Sequence, residues 1–347
     1  MFPAILPTPD FGYDPAKPDF RAGIRPYRKT TYRLEPEQMG GQLVVHNYGH
    51  GGAGITMALG CAHEIRDIVS ASGLAAVGTK VAVLGAGVMG LTAATLLREM
   101  GLDVSIHAKA FTNTTSDRAG GQWAPSVVEF EQTISGKQLF HRVLRRAFHG
   151  YEALIGKAHG VSRRPNYTWF RSASFDKVPS DLIPAPRSLP RLPFQGHSVP
   201  GFVYETLLVE PPILLNRLRH DLARAGVPMI VSDFTSPAQV SALPEPIIIN
   251  CTGLGSGAIW PDPNLVPIRG QLVFLRPQPQ LQYLYSGHGY IFPREDAVVV
   301  GGTYEEGVSD ETPDPTKCEE IVRFAKAAFT GDMAMLAKVP PWLLTHK

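Results

Sequence analysis

The chain has 347 residues, and its 33 Lys and Arg against 31 Asp and Glu leave a formal charge of +2. That balance carries no electrostatic footprint for nucleic acid or for an anionic membrane surface, while 44% apolar against 18% charged residues excludes a disordered chain and supplies a large core. Three scattered cysteines, Cys61, Cys251 and Cys318, make neither a disulfide framework nor a thiolate zinc site and fit a reducing, cytoplasmic setting.

Met1 to Asp19 carries prolines at positions 3, 7, 9, 15 and 18 and reads as an extended arm. Its first residues lack the basic segment and apolar run of a secretory signal. Leu43 to His46 is a short apolar strand that runs into a glycine-dense turn, and a helix from Ala53 to Ser72 follows. Lys80 to Leu84 is a β-branched strand, Gly87 to Met100 an apolar helix and Asp103 to His107 a second strand. This βαβ unit implies a parallel sheet covered on both faces. It also accounts for the uncharged stretch Val81 to Leu97, whose glycines and threonines suit it poorly for a membrane span. Lys137 to Lys157 has helical spacing with a basic exposed face. From Asn166 to Leu208 the pattern changes to aromatic strands, Tyr167 to Phe170 and Phe202 to Tyr204, between proline-rich turns, which is the signature of an antiparallel sheet.

Helix and parallel-strand signals return between Pro211 and Asn250, ending in the buried strand Pro246 to Asn250. Strands at Gln271 to Leu275, Tyr290 to Pro293 and Ala297 to Val300 precede a helix from Thr316 to Phe329. The expected class is α/β. A Rossmann-like cofactor domain built on a parallel sheet takes residues 36–165 and 209–256, and an interleaved antiparallel-sheet substrate domain takes 20–35, 166–208 and 257–347. Residues 1–19 form the arm, and prolines at both ends suit exposed termini. A homodimer stays open at this level.

Two glycine loops carry the chemistry. In Val83-Leu84-Gly85-Ala86-Gly87-Val88-Met89-Gly90 a G-x-G-x-x-G turn lies between strand and helix. Gly85 permits the tight turn, Gly87 lets the backbone approach a pyrophosphate, and Gly90 lets helix and strand pack closely. The second strand of the unit ends in His107-Ala108-Lys109 and not in a carboxylate, which disfavours NAD. NADP, whose extra phosphate suits Lys109, stays open on this unit alone. The second loop, His46-Asn47-Tyr48-Gly49-His50-Gly51-Gly52-Ala53-Gly54-Ile55-Thr56, again heads a helix, and two such loops in one chain point to a large cofactor. His46 and His50 lack the spacing and the neighbouring carboxylate or thiolate of a metal site, so no metal is expected. Asn250-Cys251-Thr252-Gly253 closes an isoleucine strand and adds a further turn.

Together these stretches resemble the D-amino-acid oxidase family of FAD-dependent amine oxidases. The resemblance rests on the 83–91 fingerprint, on Phe111-Thr112-Asn113-Thr114-Thr115-Ser116-Asp117 with Gly120-Gly121-Gln122-Trp123, on Asn250 to Gly253, and on Pro267-Ile268-Arg269-Gly270-Gln271. Tyr290-Ile291-Phe292-Pro293-Arg294, Gly301-Gly302-Thr303-Tyr304, Gly23-Ile24-Arg25-Pro26 and the 46–56 loop complete it. It implies an FAD-binding Rossmann-like domain. Residues assigned to FAD are Gly85, Gly87, Val88, Met89, Gly90, Lys109, Thr114, Thr115, Gly121, Gln122, Val231, Cys251, Thr252 and Gly253, with Gly51, Gly52, Gly54, Ile55 and Thr56 against the flavin.

The resemblance further implies that Arg25 pairs with a substrate carboxylate, that Tyr290 donates its hydroxyl to the same group, and that the Gly52 carbonyl receives the substrate amine. The reaction implied is oxidation of a D-amino acid by hydride transfer to flavin N5, with O2 as the second substrate and a 2-keto acid, ammonia and hydrogen peroxide as products. A glycine or sarcosine type of amine oxidase, and a flavin-binding protein without turnover, remain as alternatives. Two features depart from the family. The Gly23 to Pro26 and His46 to Thr56 blocks come before the fingerprint, as in a circular permutation, and Ser286-Gly287-His288-Gly289 stands where animal members have a second tyrosine. Tyr285 and His288 are out of register as replacements. Because Arg276 to Tyr285 is short for a lid, an open pocket is expected.

Overall fold

The computed structural model describes residues 5–170, 173–195, 199–287 and 289–343. Strands β1 (Phe20–Arg28), β2 (Arg33–Met39) and β3 (Gln42–Tyr48) open the chain, and α1 (Gly54–Ala71) follows the 46–56 loop. The expected βαβ unit is β4 (Lys80–Leu84), α2 (Val88–Glu99) and β5 (Asp103–Ala108). Next come α3 (Ile134–Glu152), β6 (Val161–Thr168), the short α4 (Ala173–Asp176), β7 (Arg187–Leu189) and β8 (Gly201–Val209). Then α5 (Pro211–Arg224), β9 (Met229–Val231), α6 (Pro237–Ser241), β10 (Ile247–Asn250) and α7 (Ser256–Ile259) lead to β11 (Leu265–Leu275). Finally β12 (Leu284–Gly287), β13 (Gly289–Pro293), β14 (Val298–Gly301) and β15 (Glu305–Glu306) precede α8 (Pro315–Thr330) and α9 (Met333–Leu336).

Two sheets organise these elements. The first has the order β2-β3-β10-β4-β5-β9, with every pair parallel except β2 against β3. Its central strands are continuous apolar runs because both faces are covered: Val81 to Leu84 and Ile247 to Ile249 are wholly buried. Helix α1 packs on α2 and α3 over this sheet. The basic face expected on α3 is tied down, Arg142 and Arg146 pairing with Glu64 of α1 and Arg145 with Asp181. The helix stops at Glu152, short of the expected Lys157, where the chain turns through Gly156 at φ 77°.

The second sheet runs β1-β11-β14-β13-β12-β6-β8-β7, with β15 beside β11. It is antiparallel apart from one parallel pair, β12 on β6, which joins two segments far apart in sequence. Segment Arg33–Met39 lies in the parallel sheet and Val161–Thr168 in the other, a few residues from the boundaries expected at 36 and 166. Helix α8 covers one face of the second sheet through Ile321, Phe324, Ala328 and Phe329.

The N-terminal arm is extended but not exposed throughout. Phe11 is buried with its ring 5.9 Å from Phe329, and Leu6 N donates to Pro193 O. Tyr283 donates to Pro7 O, and Gln278 exchanges two hydrogen bonds with Asp10. Proline removes donors without preventing the remaining apolar side chains from docking, so composition alone misjudges this segment. Among the described residues no helix is long and apolar enough to cross a membrane.

Candidate active site

Parallel strands β3, β4, β5 and β10 end on the same side, and each delivers its following turn to one cavity of about 820 Å³. A crevice at the carboxyl ends of parallel strands is where an α/β sheet presents backbone to a ligand. Gly85 takes φ 106°, and a side chain there would collide with the Cys251 carbonyl of the neighbouring turn. At Gly90 a Cβ would overlap the Gly85 carbonyl oxygen, so glycine sets the approach of α2 to β4. The α2 N-terminus has no side-chain cap at Gly87, and Val88 N meets Ser116 Oγ at 3.0 Å.

Helix α1 likewise starts without a side-chain cap, and neither helix carries an acid in its first turn. Two helix starts at one cavity, with no cap from their own N-cap residues and with Val88 N of α2 met by Ser116, form an electropositive backbone cradle suited to an anionic cofactor. Asn47 adds a buried Oδ1 without a protein partner on the same cavity wall, its Nδ2 being held by Cys251 Sγ. These features fit a dinucleotide as large as FAD.

The far end of the cavity carries the polar clamp. Arg25, on β1, lies over Gly270, where a Cβ would approach Nη2 to 2.5 Å, and Nη1 donates to Thr303 O at 3.0 Å. Thr303 is fixed in turn: its Oγ1 accepts from Gln271 N and donates to Glu305, which also holds Arg269 and Lys317. Although burial alone would raise it, the Glu305 carboxyl is held at about 2 by hydrogen bonds from Lys317, Thr303 and Arg269. Tyr290, on β13, stacks on Phe292 at 4.4 Å, and Gly301 and Gly302 leave room for its hydroxyl. Burial raises the Tyr290 pKa while contact with Arg25 lowers it, so the phenol stays protonated beside the guanidinium.

Most residues expected to bind cofactor or substrate line this cavity: Arg25 and Tyr290 at one end, Gly85 to Met89, Gly51, Gly52, Gly54 and Ile55 along it. Thr114, Thr115, Gly121, Gln122, Cys251, Thr252, Gly253 and Lys109 line it too, Lys109 as an exposed pair with Asp233 at 3.2 Å. Three stand outside the lining. Gly90 lies behind the turn, Thr56 bonds its hydroxyl to Ala124, and Val231 is exposed to solvent while its neighbour Ser232 lines the cavity. Tyr285 is fully buried in the α8 core, and His288 lies outside the described residues. His46 and His50 are buried and kept neutral, pushed down to about 4 and about 3, by burial together with Arg33 at His46 and by burial alone at His50. Ser116, Asn47 and Ser286 fall within stretches quoted from the sequence but are not singled out there as site residues; loop contacts place the first two and strand register the third, for which a linear pattern gives no signal.

A sequence profile described as FAD-dependent oxidoreductase (DAO) matches residues 80–342, about three quarters of the chain. The chain belongs to the DAO family of FAD-dependent oxidoreductases. Its cofactor is accordingly FAD, which closes the NADP possibility. Among curated relatives, a D-amino-acid oxidase of Streptomyces coelicolor is 29% identical over 254 residues, 70% of this chain and 76% of that one. A human D-aspartate oxidase is 27% identical over 257 residues, 70% and 74% of the two chains. In fold the chain is similar to glycine oxidase of Bacillus cereus, with TM-score 0.54, 18% identity and coverage of 72% and 79%. It is similar also to an FAD-bound L-α-glycerophosphate oxidase of Mycoplasma pneumoniae, with TM-score 0.50, 14% identity and coverage of 73% and 78%. This member of the DAO family is thus an FAD-dependent oxidoreductase with an α/β fold.

Proposed function

We propose that the protein oxidises D-amino acids to 2-keto acids and ammonia, passing electrons to O2 to give hydrogen peroxide. The observation that carries this reading is the Arg25 and Tyr290 clamp at the end of the cavity that begins at the Gly85 to Gly90 turn. Bound FAD supplies the acceptor for the two electrons and the α-hydrogen. The protein orients the substrate. The planar guanidinium of Arg25 receives the carboxylate in a bidentate pair, with the Tyr290 hydroxyl donating to it. The Gly52 carbonyl accepts from the substrate amine, and the uncapped start of α1 stabilises negative charge that develops beside it. None of residues 276–285 lines the cavity, because Gln278 and Tyr283 are engaged by the N-terminal arm, and this supports an open pocket.

The reading is tested with the holoprotein. A yellow preparation that bleaches anaerobically with D-alanine and releases peroxide in air is expected. Bleaching by glycine or N-methylglycine in preference to any D-amino acid would assign it instead to secondary-amine or glycine oxidation, and a preparation that bleaches with no amine would leave a flavin-binding protein without turnover. Three buried unpaired cysteines suit a cytoplasmic location.

The circular permutation is part of this proposal. The profile match begins at β4, yet β1, β3 and the start of α1, all earlier in the chain, line the same cavity. The segment preceding β1 rests on α8 through Phe11 and Phe329, which supports a connection between these parts of the fold having been moved. Relocating residues 1–72 behind residue 343 with a short linker is expected to leave an FAD-binding fold. A transplanted chain that cannot bind FAD would refute the rearrangement.

A further inference from the structure

Beside the clamp the cavity wall is built from uncharged polar groups in one register row. On β12 Ser286 stands directly opposite Tyr290 of β13 and pairs with Thr168 of β6 on its other side. Cross-strand partners project from the same face, so Thr168, Ser286 and Tyr290 form a continuous line, and all three line the cavity. Behind them Asn166 is fully buried, and its Oδ1 accepts from both Ser286 Oγ and Gln122 Nε2 at 3.0 Å. Asn166 Nδ2 donates to Tyr204 OH at 2.7 Å, and the Tyr204 phenol, raised by burial, also meets Gln122 and Ser286. The cluster contains no ionised side chain, and Gln122 and Ser286 present it to the cavity with acceptor and donor capacity remaining.

The charged side chains that line the cavity are placed elsewhere or are neutralised. Lys109 pairs with Asp233 beyond the end of β5, and Arg118 pairs with Glu311 at 2.7 Å while donating to Ala22 O. Arg25 alone has no carboxylate partner among the described residues, and the proposed reading assigns it to the substrate carboxylate. A second charge on a substrate would therefore enter a wall without a counterion, and leaving an ion unpaired in a partly desolvated site is costly.

We propose that Gln122, in place of the cofactor role the resemblance implies for it, and Ser286, both held by Asn166, form the side-chain subsite and select amino acids with neutral, hydrogen-bonding side chains against acidic and basic ones. This inference rests on the clamp assignment under the proposed function. The matched pair D-asparagine and D-aspartate, which differ only by amide against carboxylate, tests it on the FAD-loaded full chain. Expected is an advantage in kcat/KM of at least about tenfold for D-asparagine. The non-oxidisable pair succinamate and succinate, titrated by flavin absorbance, should show the same order in Kd. Gln122→Arg places a cation on the wall and should shrink or invert both ratios, and Ser286→Ala should narrow the advantage of D-asparagine over D-leucine. Equal or better use of D-aspartate or D-lysine by the unmodified protein, or succinate bound as tightly as succinamate, overturns the subsite while leaving the oxidase reading intact. Preference for succinamate without oxidation of any amino acid supports the subsite and sinks the oxidase reading.

Discussion

Replacing Arg25 separates the clamp from the fold. In the structure the guanidinium donates to Thr303 O at 3.0 Å, also hydrogen-bonds the Tyr290 side chain, and is half-buried above Gly270. Its removal therefore subtracts modestly from stability, about 1–3 kcal/mol for two net hydrogen bonds. Toward a carboxylate the balance differs. Truncating one partner of a hydrogen-bonded charge pair costs about 2–5 kcal/mol, and partial solvent access at Arg25 places the expectation near 3 kcal/mol. That is a loss of roughly 100-fold in kcat/KM for Arg25→Ala. Arg25→Lys keeps the charge without the planar fork and should fall about tenfold, as one of two parallel bonds is lost. Because the clamp binds the carboxylate in both ground and transition states, much of the effect should appear as raised KM. The assay is peroxide release over D-, L- and N-methyl amino acids, with flavin content and thermal unfolding followed on the same preparations. Carboxylate substrates turned over unchanged by Arg25→Ala would refute the assignment of Arg25, and a colourless Arg25→Ala protein would show instead that the residue supports the cofactor site.

Further outcomes follow from the packing. Gly90→Val forces a side chain onto the Gly85 carbonyl oxygen, so a colourless or insoluble product is expected, and a normally yellow protein would refute the tight α2 to β4 approach. Phe11→Ala removes a buried ring packed on Phe329 and should lower stability by about 3 kcal/mol, read by denaturant unfolding. A change below about 0.5 kcal/mol would show that the arm is not docked in solution. Glu305, held at about 2 against 4.5 for a free glutamate, lowers stability as pH falls from 4.5 toward 2, because the unfolded chain binds the proton first; its contribution is complete above that window. Part of it persists as a solvent-screened ion pair with Lys317, so about 1–3 kcal/mol is expected, and Glu305→Gln should flatten the acid limb of a Tm against pH curve. An unaltered acid limb would show that the carboxylate is not so engaged.

The parts of the site that could be read from sequence are those whose backbone geometry demands particular residues. The Gly85 to Gly90 turn is one, since φ 106° at Gly85 and the close approach at Gly90 admit little besides glycine. The buried strands Val81 to Leu84 and Ile247 to Ile249 are another, because burial on both faces leaves an unbroken apolar run. What escapes linear reading is decided by pairing between distant segments. The parallel pairing of β12 with β6 sets Ser286 beside Thr168, and nothing in either stretch encodes that register. The N-terminal arm escapes for the same reason: its prolines describe local conformation, whereas docking depends on an apolar surface supplied by α8 about three hundred residues later.

Thr56 shows a different division of labour. Its position after the glycine loop invites a cofactor role, but its hydroxyl closes a reciprocal pair with Ala124 N and O and anchors the start of α1 to the 120–125 loop. The anchor aligns two cofactor-facing segments without lining the cavity itself. Residues that hold a loop in place and residues that touch what the loop presents share the same stretch of sequence. Only the hydrogen-bond partners tell them apart, and for Thr56 those partners are both protein.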